Sequence, residues 1–522
     1  MQELEDGIRR MSQIVREQLT DALAAISSGD TTGAEAVIER DDVVDSLNRF
    51  LEERCFLIFR ESNGVITERR VRSAQRVIIN LERVGDAATH IAKHCIMLAH
   101  EGTGTLPMSL DDMSGIALAG LDEGVASFLN SDLELAKRAC EREAELDKLY
   151  VQRLEDTAGL MDGGGSDGHT LLHLLAVLKY LEKVCDYVLN IGETTVYAHT
   201  GSRLTYTQFQ QLESLLPNED KDDAIRGHFW DGISGATVLE LGPRGQHMVF
   251  KEGYGHKLQD EYERSIEWEK LAPAHTAKVI AFSQNRGRAG LLREYAEGNL
   301  FLDTLLSETS HTEVKEALMR QVAEVMADIW KNTITPVPPR VDYVQQMRSR
   351  LREALRRHPR LEKVAREELA GYGGLFDLLT KMETREDWLA PPFSIWIHGD
   401  LNANNIVVEG NNVVFIDVHR SQYGDYMQDV ATLSTSALRR FPRAKVAKSV
   451  ARTNEVLFDV VEQFAHANGD KRYRDRLRLA RARAFMTSSR LEAEYERAER
   501  LFVEGLDLLK RTARSLKIGR GS

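Results

Sequence analysis

IWIHGDLNANNIVVEGNNVVFIDVHRSQYGDYMQDVA, residues 395–431, decides how the second half of the chain is read. An apolar β-branched run delivers His398-Gly399-Asp400 into a loop, and Asn405 follows five residues after the acid. The alternating segment IVVEGNNVVFID has the composition of a hairpin, which returns Asp417 beside that loop. Phosphoryl transfer needs a carboxylate near the acceptor hydroxyl and oxygen ligands for the magnesium that neutralises a triphosphate. Asp400 can orient or deprotonate the hydroxyl while Asn405 and Asp417 hold the metal. An ordinary loop seldom unites all of these groups at this spacing.

Upstream, the short strands ATVLEL and HMVFKEG, then AKVIAFS and AGLLREYAEG, surround the helical pattern KLQDEYERSIEWEKLA, so a small sheet with one helix is expected. Lys251 ends a strand, which by itself describes a solvated edge residue. A lysine that contacts nucleotide phosphates is commonly held by a helix glutamate, and Glu263 lies twelve residues later, with Glu261, Glu267 and Glu269 competing for the role. FWDGISGATVLEL lacks a full G-x-G-x-x-G, but Gly232 and Gly235 would let backbone N–H groups approach phosphates, with Ser234 covering them.

These segments resemble the aminoglycoside phosphotransferase family, which includes choline-kinase-like enzymes. HGDLNANNI matches its H-G-D-x-x-x-x-N loop, FIDVHRSQYGDYMQDVA its I-D…G-D-x-x-x-D segment, VFK its nucleotide-lysine strand and LLREYAEG its hinge, over about residues 225–515. The resemblance implies an α+β, two-lobed, protein-kinase-like fold, with an N-lobe at 225–300 and a C-lobe at 301–515 that ends in a helical basic tail. It implies Asp400 as catalytic base, Asn405 and Asp417 as magnesium ligands, and Lys251 with Glu263 as the nucleotide ion pair. Ser234 and Gly235 would lie at the phosphates and the Glu294 to Ala296 backbone near adenine. ATP is the expected nucleotide, with GTP as the alternative. Asn402 and Asn404 stand where relatives often carry histidine and glycine, and Val418 where an aromatic is common. Only 12 residues separate Asp417 from Asp429, which leaves no room for a regulated activation loop and favours a small-molecule acceptor. Asp429 is expected to fix the loop rather than touch substrate.

The first 200 residues follow a different rule. Apolar residues recur at three and four positions in MSQIVREQLTDALAAI, VVDSLNRFLEERCFLIF, VRSAQRVIINLERVGDAATHIAKHCIMLAH and LLHLLAVLKYLEKVCDYVLNIGETTVYAH, so an all-helical bundle is expected. Acidic pairs at i,i+4 occur at Asp41/Asp45, Glu82/Asp86, Glu143/Asp147 and Glu182/Asp186. Asp45 to Asp86 is 41 residues and Asp147 to Asp186 is 39, while the offset between the two sets is 102 and 100. Two tandem repeats, 1–99 and 100–200, follow from these offsets. Like charges at i,i+4 repel, so lysine and arginine neighbours or a bound cation should offset them, and hard cations prefer such oxygen ligands.

RDDVVDSL, INLERVGDAATHIA, EREAELDKL and LEKVCDYVLNIGE resemble the PhoU family, whose tandem three-helix repeats carry E/D-x-x-x-D motifs. This implies multinuclear clusters of iron or another divalent metal on the four pairs, a role in phosphate regulation, and a phosphate-signalling protein partner; a homodimer is also admitted.

The 522-residue length fits several domains, and 42 % hydrophobic with 29 % charged residues and only 11 prolines excludes a fibrous or disordered chain. Charge divides with the pattern: residues 1–200 hold 20 Lys+Arg against 35 Asp+Glu, and the remainder 48 against 46. That balance argues against nucleic acid as a partner. No run reaches the length of a membrane helix and MQELEDGIRR is no secretory signal, so membrane insertion is not expected and the cytoplasm is. Cys55, Cys95, Cys140 and Cys185 lack metal or redox spacing and read as buried thiols. The polar stretch 201–224 reads as a linker, and RRFPRAKVAKSVAR and KRYRDRLRLARARAF read as solvated basic helix faces, with anion binding or docking on the acidic repeats as alternatives. The expected function is an ATP-dependent phosphotransferase acting on a small hydroxyl- or amine-bearing metabolite under a PhoU-like regulatory domain. The alternatives are a signalling regulator that only binds nucleotide and an aminoglycoside resistance kinase.

Overall fold

The three-four spacing of apolar residues folds as expected in a computed structural model, which describes residues 1–61, 64–102, 105–163, 167–201, 204–216, 229–231, 237–241, 246–285 and 287–518. Helices α1 (Gln2–Ser28), α2 (Thr31–Glu61) and α3 (Val65–His100) form one repeat; α4 (Asp111–Asn130), α5 (Leu133–Asp162) and α6 (Gly168–Thr200) form the second. Gly29 ends α1 at φ 73°, a left-handed cap that returns the chain at once into α2. Asp132 starts α5 by accepting the Leu135 N–H at 3.0 Å. The buried faces, for example Ile8, Met11, Val15 and Leu19 of α1 with Leu174, Val177, Leu181 and Val184 of α6, belong to one continuous core. All four cysteines are buried and free, and burial pushes the Cys55 thiol up to about 11.

Part of the stretch read as a linker is helical. Thr205 and Gln208 build a reciprocal capping box that opens α7 (Tyr206–Leu215). The helix is held on the bundle by Tyr206 N–H donating to Glu193 at 2.8 Å and by Lys137 on Glu213 at 2.5 Å. Strands β1 (Phe229–Asp231), β2 (Thr237–Leu241) and β3 (Gln246–Tyr254) follow as an antiparallel meander in which Thr237 faces Phe250 and Leu241 faces Gln246.

The chain divides into compact units at Met1–Glu252 and Gly253–Ser522. The second opens with α8 (Gly255–Leu271) and the hairpin of β4 (Val279–Asn285) and β5 (Arg288–Glu294). Next come β6 (Asn299–Leu300), α9 (Phe301–Leu306), α10 (Thr312–Thr333), α11 (Tyr343–Arg357), α12 (Arg360–Glu368) and α13 (Leu375–Glu386). Strands β7 (Ile395–Ile397), β8 (Ile406–Glu409), β9 (Asn412–Phe415) and β10 (Gln422–Gly424) form two small sheets, β10-β7 and β6-β8-β9. Helices α14 (Met427–Ser436), α15 (Ala444–Ala467), α16 (Tyr473–Ser488) and α17 (Tyr495–Ser515) complete the unit. One apolar core runs from Phe301 and Val322 through Ile395 and Ile406 to Leu479 and Phe502.

The arginine-rich segments depart from a purely solvated reading. Arg476 is fully buried and Arg483 is 8 % exposed, because both lie on the side of α16 that carries Leu479, Ala480 and Met486 into the core. Among the described residues no helix is long and apolar enough to cross a membrane.

Candidate active site

The loop after β7 is built from the backbone outward. Gly399 sits at φ 83°, and a Cβ there would lie 2.3 Å from the Arg420 carbonyl oxygen, so glycine is required where the two chain segments touch. Asp429, at the start of α14, accepts the His398 N–H at 2.7 Å and the Gly399 N–H at 2.9 Å. Burial pushes its carboxyl up to about 7, against the pull of those two donors. His398 is buried against Trp268 and Phe415 and donates from Nε2 to the Ile416 carbonyl at 2.9 Å, and burial lowers its pKa. Asp429 thus fixes the loop through main-chain bonds. Asp429→Asn removes one acceptor and turns an amide N–H toward a backbone donor, so about 1.5–3 kcal/mol of stability should be lost. Thermal melting of the full chain measures it, and an unchanged midpoint would contradict this account.

Asp400 emerges from that fixed loop half-exposed. Its Oδ1 accepts from Asn402 Nδ2 at 2.7 Å and its Oδ2 lies 3.2 Å from the Arg420 guanidinium. Asn402 in turn accepts from Arg439 at 2.5 Å, so Asn402 carries a cation's pull to the carboxylate. Asn405 is buried and gives its side-chain N–H to the Asp400 carbonyl at 2.9 Å, which leaves its carboxamide oxygen as the atom suited to a cation. The expected hairpin forms, pairing Ile406 with Phe415 and Glu409 with Asn412, with Gly410 at φ 54° in the turn. The Ile416 N–H closes it on the Asn405 carbonyl at 3.0 Å.

Asp417, just past this closure, is one of four described non-glycine residues with positive φ, at 60°. Such a conformation costs energy and is held by its surroundings. One ligand atom each from Glu261, Asp417 and His419 lie within 4.8 Å of one another. Asp417 and Asn405 are oxygen donors of the kind magnesium takes, so the residues present fit that ion.

The acids of α8 are now separated. Glu263 is exposed and accepts from Gln259 at 2.8 Å, while Glu261 is buried and pairs with Arg293 at 2.7 Å. Glu269 accepts the Val279 N–H and Glu267 pairs with Lys270, so both have structural partners. Lys251 is half-buried on β3. Glu294 ends β5 exposed, and Ala296 lies half-buried in the following turn, where Gly298 passes so close to the Val408 carbonyl that a Cβ would stand 2.6 Å from it. Ser234 and Gly235, like Gly232, lie outside the described residues.

A cleft of about 790 Å³ opens beside Asp400. Its walls carry six arginines (264, 350, 420, 439, 483 and 490) and only two acids, Asp260 and Asp400. The sequence reading offered anion binding as an alternative for the segments that contain Arg439 and Arg483, without placing them beside Asp400. The phase of Arg483 with Leu479, Ala480 and Met486 was the available signal; Arg350 and Arg490 had none.

In the helical unit the acidic pairs meet across helices, Asp41/Asp45 of α2 toward Glu82/Asp86 of α3, and Glu143/Asp147 of α5 toward Glu182/Asp186 of α6. Burial and then the neighbouring carboxylates raise the pKa of Glu82 and Asp86, and the same causes push Glu143 up to about 6 and raise Asp147. Lys179 pairs with Glu182 at 2.6 Å and Lys183 with Asp186, whereas among the described residues no lysine or arginine bridges the first set.

The PhoU domain matches residues 8–95 and 110–195, and the phosphotransferase enzyme family matches residues 229–484. The phosphate-specific transport system accessory protein PhoU homolog of Caulobacter vibrioides is 30 % identical over 210 residues, covering 40 % of this chain and 91 % of that protein. The homolog of Clostridium acetobutylicum is 25 % identical over 206 residues, covering 39 % and 94 %. Among solved structures, an aminoglycoside phosphotransferase from Streptomyces rimosus in complex with ADP and streptomycin is similar over 59 % of this chain and 98 % of its own, with 19 % identity and a TM-score of 0.33. The chain belongs to the PhoU family through its first two hundred residues, and behind those helical repeats it carries an α+β, kinase-like domain of the phosphotransferase enzyme family.

Proposed function

We propose that the chain is an ATP-dependent phosphotransferase whose acceptor is the hydroxyl of a small metabolite, and that its PhoU repeats bind metal and tie that activity to phosphate homeostasis. The observation that carries this reading is the joining of Asp400, Asn405 and Asp417 by one loop and one hairpin, through the Asn405 bond to the Asp400 carbonyl at 2.9 Å and the Ile416 bond to the Asn405 carbonyl at 3.0 Å. In this reading Asp400 takes the acceptor's proton, and Asn405 and Asp417 hold magnesium, which when bound neutralises triphosphate charge. Lys251 serves the nucleotide phosphates, and residues 294–296 the adenine. Of the glutamates on α8, buried Glu261 is better suited than exposed Glu263 to support a nucleotide-phosphate lysine. The kinase-like domain is taken to begin near residue 225.

The test is phosphoryl transfer from ATP with magnesium to a pooled metabolite library, read by mass spectrometry. A product that requires ATP supports the reading; nucleotide binding with no product favours a signalling regulator. A polycationic drug is a poor acceptor for a cleft with six arginines and two acids.

For the repeats, Mn²⁺ or Fe³⁺ added to the metal-free full chain is expected to raise its melting temperature, since a ligand at 100 times its Kd stabilises by about 2.7 kcal/mol. The double variant Asp41→Asn/Asp86→Asn should lose much of that gain, because the first set has no described basic partner to replace the metal. A melting temperature indifferent to metal would end this assignment.

A further inference from the structure

The arginines beside Asp400 are more than the fold requires. Arg483 is 8 % exposed, its guanidinium meets only the neutral Gln346 oxygen at 3.1 Å and the Tyr343 ring, and its Nε is buried with no hydrogen-bond partner among the described residues. The Nε of Arg439 is likewise buried and without a hydrogen-bond partner among them, whereas that of Arg490 lies 3.5 Å from a Glu353 carboxylate oxygen. Arg439 spends its other nitrogens on the neutral oxygens of Ser488 and Asn402. Among the described residues no carboxylate forms an ion pair with Arg350, Arg439 or Arg483.

A structural arginine that is buried normally carries its own acid, as Arg476 does with Asp425 and Asp470 a few residues away on the same helix. Here the cations crowd one another instead. Burial and then neighbouring arginines lower the pKa of Arg350, and burial pulls Arg439 down to about 10. Arginines that line a cleft without an ion-paired carboxylate, their charge offset only by Asp400 and, for Arg350 and Arg483, by Asp342, leave donors that an anion can complete. Of the candidate cation ligands His419 lines the cleft, and neither Asn405 nor Asp417 does.

We propose that this cleft is the acceptor subsite and that the acceptor is an anionic hydroxy compound, presenting a phosphate or carboxylate to Arg350, Arg439 and Arg483 while its hydroxyl meets Asp400. The inference rests on the phosphotransferase reading and narrows its substrate class. The hydroxyl oxygen bonds to the γ-phosphorus of ATP, the bond from that phosphorus to the β,γ-bridging oxygen breaks, ADP leaves with the electron pair, and the hydroxyl proton passes to Asp400. Arginine suits the anion because its planar donors take two oxygens at once.

Calorimetry on the full chain with magnesium and a non-hydrolysable ATP analogue tests the subsite directly, using glycerol 3-phosphate and glycerate as anions, glycerol as the neutral control and ethanolamine as the cation. The two anions separate phosphate from carboxylate preference. At least one anion should bind while glycerol and ethanolamine do not, and Arg350→Gln should weaken the anion by about tenfold or more with ADP affinity unchanged. Arg439→Lys, which keeps the charge and loses the fork, should weaken it less.

No binding of either anion, or equal binding to wild type and both variants, overturns the proposal. An Arg350→Gln protein that loses ADP to the same extent also overturns it, by assigning the arginines to the nucleotide. The same compounds as transfer acceptors keep the two readings apart. Anion binding with no transfer to any compound removes the kinase reading and not the anion site, whereas transfer to glycerol without anion binding does the reverse.

Discussion

Full-length protein carrying Asp400→Asn is expected to lose phosphoryl transfer by about 10²- to 10⁴-fold, the usual contribution of a positioned general base. The substitution changes one oxygen for nitrogen at a side chain that is 27 % exposed, so the fold should tolerate it. Its effect on the loop is small because the loop's geometry is set elsewhere, by Asp429 on the His398 and Gly399 N–H groups and by Asn405 on the Asp400 carbonyl. What the amide cannot do is accept the hydroxyl proton. It also removes the charge that faces Arg420 at 3.2 Å, so acceptor affinity can change modestly while the chemical step falls. A rate-limiting loss of kcat with a nearly constant KM for ATP is the expected pattern. Wild-type turnover in this variant would remove Asp400 from the chemistry and leave the transfer to be explained by other groups of the site.

Legibility in the sequence followed how local each cause is. The helical repeats were visible because a helix face repeats every three to four residues, and their acidic pairs were visible because each pair spans a single turn, as at Glu82/Asp86 on α3. The HGD loop and its hairpin were visible for the same reason, since Gly399, Asn405, Gly410 and Asp417 act within 20 residues of one another. Choosing among the α8 acids needed tertiary information. Glu261 and Glu263 differ by two positions, about 200° around a helix, and only packing against Arg293 of β5 shows which side is inward. The acceptor cleft was least legible. Arg264, Arg350, Arg439 and Arg483 come from distant elements, and a sequence shows arginines long before it shows which of them have acids. In α16 the same motif, RDRLRLARAR, supplies Arg476 to an ion network, Arg483 to the cleft and Arg478 to the half-exposed Asp475.

Arg476→Ala is expected to destabilise the second unit by about 3–5 kcal/mol, the cost of breaking a buried ion network by removing one partner. Arg476 is completely buried and satisfies three groups at once: Asp425 at 2.8 Å from Nε, the Leu389 carbonyl at 2.8 Å, and both oxygens of Asp470. Asp425 also accepts from Tyr343 at 2.8 Å and Asp470 from Tyr426 at 2.6 Å, so α11, the loop before α14 and α16 share one set of bonds. Without the guanidinium two carboxylates remain buried with one phenol and one backbone N–H each and no counter-charge in contact, and both must take up protons or admit water. Urea unfolding followed by tryptophan fluorescence suits the measurement, because Trp268, Trp330, Trp388 and Trp396 all lie in the second unit and only Trp230 precedes it. Arg511→Ala, which removes an exposed pair with Asp507, should shift the same transition by no more than about 0.5 kcal/mol. Equal shifts in the two variants would mean that Asp425 and Asp470 are not held by Arg476. Because Asp425 lies four residues before Asp429, a loosened network should also slow transfer at denaturant concentrations where the helical repeats are intact, which links the stability of α16 to the position of Asp400.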